Sequence, residues 1–278
     1  MRILLVLLVL VLLPAVASAD GDPSTLEAHL ARSPYDDAAR QDLVAAYRHS
    51  RDYGAAYYHA AWLAWLAAGQ YADSDLGSAF LRRREFRDRA SRSDTPGLQL
   101  ALAAVEARQK LHDTCFNGAI SQQAGRLRKD ISDLLTRAAK SEADAPKNDP
   151  LARIALARLA LTLDDALVFE NTSASRRARP AVLRAAASRA AAVAAWLPQA
   201  PGPHYTLAVI RARLAELDNR PALWDLAIAE AQRALQLDPD NPRIVELLWT
   251  LHLRAGRWGE ARTWQSRVNS SANTCDAD

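Results

Sequence analysis

Along most of the chain, apolar residues return every three or four positions. Leu127, Ile131, Leu134 and Leu135 follow this spacing, as do Leu156, Leu159, Leu163 and Leu167. Such spacing gathers apolar side chains on one face of a helix, and no alternating strand pattern competes with it. The pattern predicts antiparallel helices near 24–32, 36–50, 53–69, 73–92, 97–113, 119–141, 150–169, 180–197, 203–218, 221–237, 242–255 and 258–269. One helix cannot bury a face of this kind alone. Neighbouring hairpins must stack, which makes the array the unit of stability and leaves a curved surface exposed.

Two internal offsets support stacking. Residues 179–201, RPAVLRAAASRAAAVAAWLPQAP, slide onto 220–242, RPALWDLAIAEAQRALQLDPDNP, at a constant offset of 41. Arg179, Pro180, Ala186, Ala190, Pro198 and Pro201 then meet Arg220, Pro221, Ala227, Ala231, Pro239 and Pro242. Proline suits a first helical turn, where its missing N–H is no loss, and proline beyond a helix end prevents continuation. The alanines, four residues apart, make a smooth stripe that another helix can approach closely. An offset of 34 relates Leu214, Leu217, Trp224 and Ala227 to Leu248, Leu251, Trp258 and Ala261.

Thirty-four residues is the tetratricopeptide period, and NPRIVELLWTLHLRAGRWGEARTW from Asn241 resembles one unit of that family. Leu248 falls in the first helix, Gly256 at the turn, Trp258 at the start of the second helix and Ala261 at its close-packing position. ALQLDPDNP, with Ala234 and Pro239, looks like the end of the preceding unit. SPYDDAARQDLVAAYRHSRDYGAAYYHAA fits similarly through Pro34, Leu43, Tyr47, Tyr53 and Ala56. Trp249 and Gln265 depart from the family pattern, as do the stretched hairpins before residue 242. The resemblance implies an all-α fold, a right-handed superhelix of stacked antiparallel hairpins. It divides the chain into N-terminal hairpins over 20–71, a divergent helical middle over 72–148, C-terminal hairpins over 149–270 and a tail over 271–278. It further implies peptide recognition on the first helix of each pair, which selects Asp42, Arg48, His49, Arg243, Glu246 and Arg254 as partner-binding residues.

The N-terminus adds a destination. Arg2 precedes an apolar stretch from Ile3 to Leu13, then Pro14 and the small-residue pattern Ala17-Ser18-Ala19, which reads as a secretory signal peptide over 1–19. The apolar stretch is shorter than the ~20 residues of a spanning helix, and Asp20 and Asp22 follow it, so cleavage after Ala19 is expected to leave no transmembrane span. Removing 1–19 takes one arginine and no acid, so 34 Lys+Arg stand against 32 Asp+Glu, near +2, a balance that selects no partner. Export places the chain in the periplasm or outside the cell. There Cys115 and Cys275 either pair, tying the tail to the middle, or stay as thiols if their Cα atoms are more than ~7 Å apart.

Candidate chemistry is sparse. The chain has no Gly-rich phosphate loop, paired-histidine zinc motif or nucleophile elbow, so it reads as a non-enzyme with no metal and no cofactor. Asp36-Asp37 and Asp164-Asp165 are adjacent carboxylates that point about 100° apart on a helix, which favours capping or solvation. The run from Arg82 to Arg92 is a solvated face, with Glu85 and Asp88 in pairing range, or a strip for an anionic polymer. Nucleic acid is not expected after export. Six of the seven tyrosines lie between Tyr35 and Tyr71, mainly as hairpin core, with Tyr57 or Tyr58 as candidates to line a groove. The polar stretch from Glu170 to Pro180 reads as a long hairpin loop. The function these features favour is an exported scaffold binding a protein or peptide. A module for envelope glycan or anionic polymer, and an enzyme with an unfamiliar helical site, are the alternatives.

Overall fold

A computed structural model describes residues 22–67, 96–116, 120–144 and 149–274. The signal peptide, Tyr71, the Arg82–Arg92 run and Cys275 lie outside these residues, as does the side chain of Cys115. Among the described residues every regular element is helical: α1 (Pro23–Arg32), α2 (Asp37–His49), α3 (Tyr53–Trp65), α4 (Pro96–Phe116), α5 (Ile120–Asp144), α6 (Pro150–Glu170), α7 (Ser173–Trp196), α8 (Pro201–Asp218), α9 (Pro221–Leu237), α10 (Pro242–Arg254) and α11 (Trp258–Thr274). Each described helix packs on the next, giving an all-α array of stacked hairpins. No described helix is long and apolar enough to cross a membrane.

Short polar residues set the starts. Asp36 accepts from the Ala39 N–H at 2.9 Å, Asp52 from Ala55 at 3.1 Å, Asp149 from Ala152 at 3.1 Å and Thr172 from Ser175 at 3.1 Å. Each satisfies an amide that has no partner within its own helix. The DPDNP stretch from Asp238 to Pro242 separates α9 from α10. α9 stops at Leu237, Asp238 follows as its cap, Asn241 accepts from the Arg243 N–H at 3.1 Å, and Pro242 opens α10. At the α10–α11 turn Gly256 takes φ +73°, a left-handed conformation that costs glycine nothing.

The alanine stripe is core. Ala186, Ala190, Ala227 and Ala231 are all fully buried, as are Leu248 and, nearly so, Ala261. Trp258, by contrast, is 62% exposed at the start of α11.

The 170–180 segment is helix rather than the expected long loop. α6 ends at Glu170, Asn171 turns the chain with φ 49°, and Thr172 caps α7, which runs from Ser173 with Pro180 inside it. Two residues that cap well make so tight a turn possible, because Asn tolerates the left-handed region and Thr supplies the acceptor.

α3 departs most from a linear stack. Its sequence, YGAAYYHAAWLAW, is apolar all round, and Tyr57, Leu63 and Trp65 are among the most deeply buried side chains. Such a helix needs neighbours on every side. α3 has them: it touches α2, α4, α6 and α8. Burying each large side chain contributes about 1.5–3 kcal/mol. Tyr57 therefore does not line a groove; it is core. The contact with α8 is backbone to backbone, the Gly202 N–H donating to the Leu66 carbonyl at 3.0 Å.

A polar network pins α1, α2 and α3 together. Arg40 donates from Nη2 to the Pro34 carbonyl at 2.8 Å and lies over the Trp62 ring at 4.1 Å. Its Nη1 donates to His59 Nδ1 at 3.2 Å, so His59 Nε2–H donates to Glu27 at 3.1 Å, an oxygen that Tyr47 also reaches at 3.0 Å. Burial, aided by Arg40 and opposed by Glu27, holds His59 below its ordinary pKa, and the ring is neutral.

Candidate functional site

Because α3 reaches α8, the N-terminal hairpin meets the far half of the array, and a cleft of about 540 Å³ opens at the junction. Tyr35 comes from the turn before α2 and Asp37 from its first residue, Trp62 from α3 and Leu66 and Ala67 from just beyond it, Ala200 from the α7–α8 turn and Pro201 from the start of α8, Asp238 and Asp240 from the α9–α10 turn, and Arg243 from the start of α10. This volume lies within the ~300–1,000 Å³ of small-ligand sites. Three carboxylates and one guanidinium line it. Burial pushes the Asp37 carboxyl up, Arg40 pulls it down, and Asp238 and Asp36 push it up again. Two carboxylates that repel across a partly desolvated cleft favour a cation between them.

The six residues implied by the family resemblance are all exposed: Asp42, Arg48 and His49 on α2, and Arg243, Glu246 and Arg254 on α10. Of these, Arg243 lines the cleft. Arg254 is held in an ion pair with Glu216 of α8. Sequence reasoning missed Asp37, Asp238 and Asp240 as a group, since Asp238 and Asp240 lie in ALQLDPDNP, which reads as the end of a repeat unit, and Asp37 reads as a cap or solvated residue. Nothing in the spacing brings residue 37 to residue 238.

A second constellation surrounds Asp164, which reads from sequence as a cap or solvated residue. It is instead fully buried. Arg179 donates to it from Nε at 2.7 Å and from Nη2 at 3.2 Å, and Arg213 donates from Nη1 at 3.0 Å. Arg213 also pairs with Asp165 at 2.7 Å, and Asp165 receives Arg108 at 2.9 Å. Burial pulls Arg213 down, but Asp165 and Asp164 outweigh it, so its guanidinium is raised further and stays charged. The network ties α4, α6, α7 and α8 together. Its one visible signal in the sequence is an acid at a position of α6 whose neighbours one turn away, Ala160 and Leu167, are core.

Solved structures similar to the chain include two of MamA. One is a double mutant of MamA, "MamA RS-1 ArsTM double mutant", with a TM-score of 0.31 and 18% identity, the match covering 63% of this chain and 98% of that one. The other is MamA from residue 41 to its end, from Desulfovibrio magneticus RS-1, with a TM-score of 0.30 and 18% identity over 62% of this chain and 96% of that one. No family model matches, and none of the curated proteins does. At this level of likeness the architecture rests on the helices themselves.

Proposed function

We propose that the chain is an exported, non-enzymatic, tetratricopeptide-like scaffold that binds a protein partner in the cell envelope through the cleft between its N-terminal hairpin and its α9–α10 turn. The observation that carries this reading is the cleft itself. It combines two aromatic rings, Tyr35 and Trp62, with Asp37, Asp238, Asp240 and Arg243. Aromatic side chains supply contact area, and the three acids select a partner segment bearing a lysine or arginine. Export is supported by the Arg2, Ile3–Leu13 and Ala17-Ser18-Ala19 pattern of the first 19 residues.

The test is capture from an envelope fraction with purified chain lacking residues 1–19. The parent is expected to retain a specific protein. Asp238→Asn combined with Asp240→Asn is expected to release it, and Arg48→Ala combined with Arg254→Ala to weaken it. Full retention by the aspartate variant would remove the cleft from the reading, and capture of no specific protein by the parent would remove the reading itself.

A further inference from the structure

Between α3, α4, α6 and α8 lies a smaller cleft of about 220 Å³, distinct from the one at the α9–α10 turn. Its apolar walls are Trp65, Ala104, Val105, Leu161 and Val209. Arg108, Arg158 and Arg213 also line it, with Asp165 as the only acid among its lining residues. With the buried partners behind it, four arginines (Arg108, Arg158, Arg179, Arg213) stand against two carboxylates, Asp164 and Asp165, among the described residues. The pocket is net positive.

Thr206 makes an independent observation. It is 1% exposed, lines this cleft, and its hydroxyl has no hydrogen-bond partner among the described residues. A helical threonine ordinarily donates to the carbonyl one turn back, as Thr114, Thr136, Thr162 and Thr263 do here. Thr206 does not. A buried hydroxyl left without a partner is destabilising, and a ligand oxygen in the cleft would satisfy it.

We propose that this cleft binds a compact organic anion, a carboxylate or phosphate on an apolar body of roughly ten non-hydrogen atoms. The arginines take the charge, Thr206 donates to one oxygen, and Trp65 and Val209 cover the body. The size follows from the volume, which falls below the ~300 Å³ at which drug-sized sites begin. Trp65 of α3 forms one wall, and a cleft of this volume is too small for an extended peptide. This inference is independent of the partner cleft above.

The test titrates the purified chain with matched fragments followed by NMR at the Trp65 indole: benzoate and phenyl phosphate, neutral benzamide, inorganic phosphate, and a pentapeptide with a free C-terminus. Benzoate or phenyl phosphate is expected to bind at least tenfold more tightly than benzamide, more tightly than inorganic phosphate or the pentapeptide, and less tightly as salt rises. Arg108→Gln, half exposed in the parent, is expected to cost about tenfold in affinity. Thr206→Val is expected to cost roughly three- to tenfold while leaving the free protein as stable as the parent or more so, an outcome a purely structural threonine would not give. Binding by neither aromatic anion, equal binding of benzamide, preference for the pentapeptide, or undiminished affinity in both variants would each overturn the proposal.

Discussion

Adding one carbon at Gly202 tests whether the N-terminal hairpin is held by α8. A Cβ there would stand 1.9 Å from the Trp65 carbonyl oxygen, 2.6 Å from its carbon and 2.9 Å from the Leu66 Cα. Carbon and oxygen rest at about 3.3–3.6 Å, so the end of α3 and the start of α8 must part by roughly 1.5 Å. That separation breaks the Gly202 N–H to Leu66 carbonyl bond of 3.0 Å, worth about 0.5–1.5 kcal/mol. Forcing the packed surfaces apart costs about 1–3 kcal/mol more. Alanine's better helix propensity returns at most about 1 kcal/mol. Gly202→Ala is therefore expected to lose about 1–4 kcal/mol, or roughly 2–16 °C of melting temperature at about 2–4 °C per kcal/mol for a chain of this size. Thermal unfolding by circular dichroism reads the loss, and amide exchange across Tyr57–Leu66 locates it. Gly259→Ala is the control, because no described atom lies within 4 Å of its added carbon, and it should melt no lower than the parent. A Gly202→Ala protein that melts no lower than the parent, with α3 amides still protected, would refute the docking of α3 on α8.

Asp164→Ala strips Arg179 and Arg213 of their shared buried carboxylate; with those side chains 16% and 25% exposed, the loss should fall at the lower end of about 3–5 kcal/mol in urea unfolding. A loss under 1 kcal/mol would mean that water replaces the carboxylate freely. His59, whose folded pKa lies below its ordinary 6.5, contributes stability that is complete above pH 6.5 and drains away as pH falls toward the lowered value. The urea midpoint of the parent should accordingly drop between pH 7.5 and pH 5, and His59→Gln should flatten part of that slope; His252, lowered by burial in the same direction, accounts for a separate part that His252→Gln removes. Equal slopes in all three proteins would refute this. Ala231→Leu puts three carbons where no space exists, Ala231 being fully buried, and is expected to lose at least about 1–3 kcal/mol by the same unfolding assay.

The sequence by itself determined the local rules. The 3.6-residue apolar period, the Asp, Thr and Asn caps, the Pro-opened helices and the Ala186, Ala190, Ala227, Ala231 stripe each depend on residues within one or two turns, or on a repeat offset that brings like to like. Those features set the helices and their consecutive packing. The 170–180 segment misled because a two-residue turn between well-capped helices leaves polar residues that look like a loop. What only the tertiary structure decided comes from contacts between distant parts of the chain. The all-round apolar character of α3 says that it is buried but not by what; its docking on α8 brings Asp37 to Asp238 and makes one cleft. Asp164 is an ordinary acid in the sequence, yet stacking of α4, α6, α7 and α8 converges three arginines on it and Asp165. A charge's partners are fixed by which helix faces meet, and periodicity along one helix carries no information about the rotation of its neighbours.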